Sequence, residues 1–137
     1  MSGAARPVAD EVFLAAVEGA TWPGEGFKHR EHLRLAWLYL RRHGVEVGTE
    51  RIGQTLRRYA TALGSPGIYH ETLTRAWGAC VGGALRQTPG LEPFEAFLAA
   101  HPELLERDLL ERYYRRETLD SEEARRSWVP PDVAALP

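Results

Sequence analysis

The sequence predicts an all-α fold, a single-domain bundle of about four longer helices with shorter C-terminal helices packed across it. Apolar residues recur at intervals of three and four along most of the 137-residue chain, which is the period of a helix face. No segment shows the two-residue alternation of a half-buried strand. Glycine and proline signals divide the chain into segments of helical length, and the total length is that of one domain.

Three of the longer helices are expected in the first half of the chain. The first runs from Val8 to Gly19, the second from Arg30 to His43, and the third from Glu50 to Leu63. Thr49 is the expected N-cap of the third helix, and Gly44 is the expected stop of the second. The second helix has a buried stripe at spacings of three and four, formed by Leu33, Ala36, Trp37 and Leu40.

The fourth longer helix is expected from Tyr69 to Arg86. Shorter helices follow near 93–100 and 103–115, and Ser121 is expected to cap a last one over 122–127. Residues 1–7 are expected to form a loose lead. Residues 129–137 are expected to form an extended tail, because Pro130 and Pro131 cannot continue a helix. The single helical domain therefore spans 1–137. Four side chains are expected in its core: Leu33, Trp37, Trp77 and Val81.

Composition excludes several classes of protein. The net charge of −2 gives no bulk electrostatic reason to expect nucleic acid or an anionic membrane as partner. Cys80 is the only cysteine, so an internal disulfide and a cysteine-based zinc framework are both excluded. No apolar run is long enough to cross a membrane, and the first ten residues lack the pattern of a signal peptide. We expect a soluble cytoplasmic protein.

Three histidines provide the main indication of chemistry. His29 and His32 lie three apart at the start of the second helix, where Cβ atoms at this spacing are about 5–6 Å apart. The spacing is compatible with two ligands to one metal ion, and equally with two partly buried histidines bonded to backbone or carboxylate groups. His70 is expected in the first turn of the fourth helix, where the helix dipole disfavours imidazolium and leaves a neutral ligand or base.

In an up-down bundle the second and fourth helices are parallel, so the three histidines could meet at one level. Three histidines with an open position are a common catalytic zinc or iron arrangement. We therefore predict that His29, His32 and His70 bind a divalent metal, Zn or Fe, with Glu71 as the candidate catalytic carboxylate. The alternative is a buried polar network that closes the end of the bundle.

Two classes of function follow from this cluster. The first is a small metal-dependent enzyme, in which the metal activates water or binds oxygen. The second is a non-catalytic module that binds a small-molecule ligand or another protein, with the histidines as hydrogen-bonding groups. The sequence contains no phosphate-binding glycine loop, dinucleotide fingerprint or nucleophile elbow. It does not determine the oligomeric state.

Three motifs together resemble a family of small uncharacterised bacterial proteins. They are Phe27-x-His29-Arg30-Glu31-His32-Leu33-Arg34-Leu35-Ala36-Trp37, then Tyr69-His70-Glu71-Thr72-x-Thr74, then Ser121-Glu122-Glu123-Ala124-Arg125 followed by Pro131-Asp132. The resemblance covers nearly the whole chain. No activity is established for that family, so the resemblance implies no reaction. It does imply that the histidine motifs are a signature of the family.

Overall fold

A computed structural model describes residues 8–137, and it confirms the all-α fold: no strand occurs in this part of the chain. The expected lead at 1–7 lies outside the described residues. The α-helices are α1 (Asp10–Glu18), α2 (His29–Ala62), α3 (Glu71–Gln87), α4 (Phe94–Ala100), α5 (Arg116–Leu119) and α6 (Glu122–Arg126). Short 3-10 turns lie between them at Gly24–Gly26, Pro66–Ile68, Pro102–Leu105 and Leu109–Arg112.

Helix α2 is a helical hairpin that reverses at Gly44. The φ of 81° and ψ of 173° at this residue form a combination that is essentially restricted to glycine. The two halves pack side by side, with Tyr39 Oη 3.0 Å from Thr55 Oγ1. A Cβ at Gly48 would lie 2.9 Å from the Tyr39 carbonyl oxygen and 3.0 Å from Leu40 Cα, so the backbones are in close contact there.

The reversal also corrects the expected start of the third helix. The second half of α2 continues directly from Gly44, without the predicted loop over 44–49. Thr49 is therefore inside the helix and is not an N-cap. A single left-handed glycine turns the chain in one residue, so the predicted loop is unnecessary.

Helix α3 packs antiparallel to the second half of α2. A Cβ at Gly78 would lie 3.6 Å from Thr49 Oγ1, and one at Gly82 would lie 3.5 Å from Val45 Cγ2. Because the two halves of α2 are themselves antiparallel, α3 runs parallel to the first half. Both begin at the same end of the bundle, which matches the arrangement predicted for the second and fourth helices.

The hydrophobic core lies between α2 and its neighbours. Trp37 packs against Phe94 and Phe97 of α4, with ring centroids 5.4 and 6.1 Å apart. Phe13 of α1 is completely buried. Three of the four side chains predicted for the core are buried as expected, namely Leu33, Trp37 and Val81, whereas Trp77 is only half-buried.

The prediction of a helix over 103–115 is wrong. Two 3-10 turns occupy this stretch, separated by an extended residue, Glu106, with a ψ of 111°. The Leu104 carbonyl accepts a hydrogen bond from the His29 side chain, not from a helical backbone N–H. The break also lets Leu104, Leu109 and Leu110 all reach the core, which one continuous helix would not place on a single face.

The last helix and the tail follow the sequence closely. Ser121 Oγ accepts the Ala124 N–H at 3.1 Å and caps α6, as predicted. Residues 129–137 contain no helix. Tyr114 Oη donates to the Val129 carbonyl at 2.6 Å, and Asp132 Oδ1 accepts the Arg115 N–H at 2.9 Å. These bonds hold the tail against the body.

Replacing Gly44 with Ala should reduce the free energy of unfolding by about 1–3 kcal/mol, because the side chain would be forced into a conformation that only glycine adopts readily. Gly67→Ala is the matched control, since its backbone is not left-handed and nothing lies within 4 Å of the added Cβ. Urea titrations of both variants make the comparison. Equal stabilities would contradict the glycine-dependent reversal.

Candidate functional site

A cavity of about 950 Å³ opens at the end of the bundle where α2 and α3 both begin. Residues 107–125 close one side of it. The volume lies within the range of about 300–1,000 Å³ that small-molecule sites occupy. Its wall is largely apolar and includes Ala36, Ile52, Leu56, Leu73, Trp77 and Leu110.

All three predicted histidines, His29, His32 and His70, line this cavity. The parallel arrangement of α3 and the first half of α2 places them there, because each histidine lies within four residues of the start of its helix. The three imidazoles nevertheless have different partners, and these partners determine what each can do.

His70 caps α3 with one ring nitrogen and fastens a distant segment with the other. Its Nδ1 accepts the Leu73 N–H at 3.1 Å, so it is the N-cap and not part of the predicted first turn. Its Nε2–H donates to the Leu119 carbonyl at 2.8 Å. Burial lowers its pKa, although the Leu119 carbonyl partly opposes the shift. The ring is neutral, and neither nitrogen is free for a ligand.

His29 also holds a backbone carbonyl. Its Nε2–H donates to Leu104 at 2.8 Å, and its ring packs edge-on against Trp77 with centroids 4.5 Å apart. The pKa of His29 is lower than its usual value. Burial and the positive charge of Arg107 lower it, and the bond to the Leu104 carbonyl only partly opposes them. His29 and His70 therefore attach the segment over 104–119 across the cavity.

His32 is different because its imidazole makes no hydrogen bond with any residue in 8–137, although its backbone N–H donates to the Lys28 carbonyl at 3.0 Å. Its ring packs beside Phe27, with centroids 4.6 Å apart, and the side chain remains accessible to solvent through the cavity. Enclosure by the protein and then repulsion from His29 lower its pKa to about 4. At neutral pH His32 therefore offers one donor and one acceptor to the cavity.

The three histidines do not form a metal centre in this arrangement. Over residues 8–137, no group of three or more His, Cys, Asp and Glu side chains is placed to hold a metal ion. The reason is local: a metal ligand needs a free nitrogen lone pair, and His70 uses both of its nitrogens within the fold. The zinc or iron hypothesis gains no support from this geometry.

Glu71, the candidate catalytic carboxylate, does not line the cavity. It accepts hydrogen bonds from Tyr69 Oη and Arg75 Nε, both at 2.6 Å, and Arg57 lies 3.5 Å away. Partial burial raises its pKa, but the bonds from Tyr69 and Arg75 outweigh burial and the net shift is downward. Glu71 holds Tyr69 in the cavity wall, where Gly53 leaves space for the hydroxyl.

Trp77 and Arg107 line the cavity, and the sequence analysis assigned neither of them to the histidine site. Trp77 was expected in the core, yet it lies seven residues after His70 and so on the same side of α3, which could have indicated a shared wall. Arg107 was placed on a helix that does not form. Its position at the cavity depends on the break at Glu106, for which the sequence has no glycine or proline signal.

Comparisons with known proteins returned no matching family model, no matching curated protein and no matching solved structure. The resemblance to the bacterial family stays a prediction. No helix within residues 8–137 combines the length and the apolar character needed to span a membrane.

Replacing His70 with Ala should lower the free energy of unfolding by about 1–3 kcal/mol, because α3 loses its cap and the Leu119 carbonyl loses its donor. His70→Asn should recover part of the loss, since asparagine caps well but cannot reproduce both contacts. Denaturant unfolding monitored by circular dichroism measures both variants. Wild-type stability in His70→Ala would contradict the structural role.

Stability should fall as the pH is lowered from about 7 towards 4. The pKa of each cavity histidine is lower in the folded protein than the value of 6.5 expected in the unfolded chain. The unfolded state therefore binds more protons below pH 6.5, and protonation favours unfolding until His32 itself titrates near pH 4. Unfolding free energies measured across this range test the sign.

His32→Gln is the control for this pH dependence. It removes one of the titrating groups, so its stability should decline less steeply between about pH 6.5 and 5, where free carboxylates remain ionised. A wild-type protein whose stability is constant or rises as the pH falls through this window would contradict the assignment of neutral histidines.

Proposed function

We propose that this protein binds a small, largely apolar organic molecule in the cavity between α2 and α3, with His32 as its hydrogen-bonding contact. The observation that carries the proposal is the state of His32: an accessible, neutral imidazole without a partner among residues 8–137. An imidazole that faces a large cavity with both nitrogens free is suited to pair with a ligand.

Two hydroxyl groups of the wall donate their protons within the fold. Tyr59 Oη donates to the Trp22 carbonyl at 2.6 Å, and Thr74 Oγ1 donates to the His70 carbonyl at 2.7 Å. Small-molecule sites typically combine apolar walls with very few available polar groups. Here the apolar wall would hold the body of the ligand and His32 would orient it.

Binding is a better account of the site than catalysis. A general base is most effective when its pKa lies near the working pH, and the pKa of His32 is near 4. Glu71 is separated from the cavity and tied to Tyr69 and Arg75. The metal-dependent enzyme would need one nitrogen of His70 to release its present partner, either the Leu73 N–H or the Leu119 carbonyl.

A first experiment tests whether the cavity holds an apolar molecule. The neutral fluorophore N-phenylnaphthylamine should bind the wild-type protein with increased emission. Leu73→Trp, which fills the cavity from its wall, should lose this binding. Leu105→Trp is the matched control, because Leu105 is exposed and does not line the cavity. Equal binding by both variants, or none by the wild type, would contradict the proposal.

A second experiment tests His32 directly by displacement of that fluorophore. β-Naphthol should bind more tightly than naphthalene by about two- to tenfold, the value of one neutral hydrogen bond. His32→Leu should remove this preference while it keeps the affinity for naphthalene. The metal content of untagged protein is measured in parallel. Stoichiometric zinc or iron, lost in His32→Leu, would replace the ligand-binding proposal with the metal site.

A further inference from the structure

We infer that the molecule bound in this cavity is an organic anion, an apolar body that carries a carboxylate or a similar acidic group, and that Arg107 and Lys28 receive the acid. The inference rests on the proposed function, since it specifies the ligand class of the same site. It is carried by the distribution of charged groups around the cavity and by which of them already have partners.

Four cationic side chains line the cavity, and the fold uses two of them. Arg116 lies 3.8 Å from Glu111 and 3.9 Å from Asp120. Arg125 lies 3.6 Å from Glu122 and donates to the Gly67 carbonyl at 3.0 Å. These two cations are neutralised or bonded in place.

The other two cations, Lys28 and Arg107, have no carboxylate within 4 Å among residues 8–137. Both line the cavity and both are exposed. Of the three acids that line it, Glu111 and Asp120 face Arg116, which leaves Asp108 as the one unpaired acid in this lining. Two free cations against one free anion leave the cavity with an excess of positive charge.

Arg107 lines the same cavity as the unpaired imidazole of His32. Arg107 is close enough to His29 to act on its titration, and His29 in turn acts on that of His32. No acidic side chain has a comparable effect on either histidine. An anion at His32 would therefore accept a hydrogen bond from a neutral imidazole and the attraction of a guanidinium, a strong combination for a carboxylate.

The same set of charged side chains disfavours a cationic ligand. The half-buried carboxylate of Glu71, which follows His70 in the chain, lies outside the cavity. Asp108 is the one acid of this lining without a cation within 4 Å, and a cationic ligand would be repelled by Lys28 and Arg107.

The test compares two ligands of nearly equal shape, β-naphthoate and β-naphthamide, which differ in charge. Each displaces N-phenylnaphthylamine from the wild-type protein at pH 7.5 in low salt. We expect β-naphthoate to bind about tenfold more tightly, with a preference that shrinks as salt is added. Arg107→Met should remove most of this preference and leave the affinity for β-naphthamide unchanged.

Arg116→Met is the matched control, because Arg116 also lines the cavity but faces two acids. It should keep the preference for β-naphthoate within about twofold of the wild type. Both arginines are exposed, and circular dichroism confirms that each variant is folded. Similar losses in both variants would show nonspecific attraction and would overturn the assignment to Arg107.

The outcomes separate this inference from the proposed function. If N-phenylnaphthylamine and β-naphthamide bind in the cavity but β-naphthoate is no better than the amide, the anion inference fails and the ligand-binding function stands. If neither the fluorophore nor either naphthalene derivative binds, the proposed function itself fails. Tighter binding of β-naphthoate that depends on Arg107 supports both.

Discussion

The reversal of α2 at Gly44 is the constraint on which the site depends. By turning the chain within one residue, it places the first half of α2 antiparallel to the second half. The second half then lies antiparallel to α3. The first half of α2 and α3 consequently begin at the same end of the bundle, and their histidine-bearing ends face a common space. If α2 continued straight through Gly44, residues 29–32 would lie far from residue 70 and would not line the same cavity.

The cavity stays open because the segment that covers it, residues 104–119, is attached to the helices at a few points and does not fill the space between them. Residues 104–119 contain only short 3-10 turns and the four-residue helix α5. Leu104, Leu109 and Leu110 anchor this segment in the core. The His29–Leu104 and His70–Leu119 bonds hold its two ends to the two parallel helices. The space between these attachments is left to solvent or a ligand.

Much of the fold could be predicted from the sequence, because the helical period and the turn residues act locally. The stripe around Trp37, the cap at Ser121 and the parallel relation of the histidine-bearing helices all follow from such local rules. The failure over 103–115 has a different origin. There the Leu104 carbonyl bonds to His29, seventy-five residues earlier in the chain, and a contact at that separation leaves no periodic signal in the sequence.

The candidate site was predictable in its location but not in the role of each residue. His29 and His32 share one motif and lie one turn apart, yet only His29 meets a carbonyl of the covering segment. His70 meets a second such carbonyl and the end of its own helix. The positions of the Leu104 and Leu119 carbonyls decide which imidazole keeps no partner. Those positions depend on the tertiary fold, because both carbonyls are distant in sequence from the histidines that they contact.

This division of roles explains why three histidines at one cavity need not indicate a metal. A metal centre requires several lone pairs that converge on one point. Here His70 accepts the Leu73 N–H with Nδ1 and donates from Nε2 to the Leu119 carbonyl, so it has no lone pair left to converge with those of His29 and His32. The bonds of His29 and His70 stabilise the wall, and they leave His32 as the one of the three cavity imidazoles with no partner among residues 8–137. A wall with fixed polar contacts and one free imidazole orients a ligand without competing for it, which is the property expected of a selective binding site.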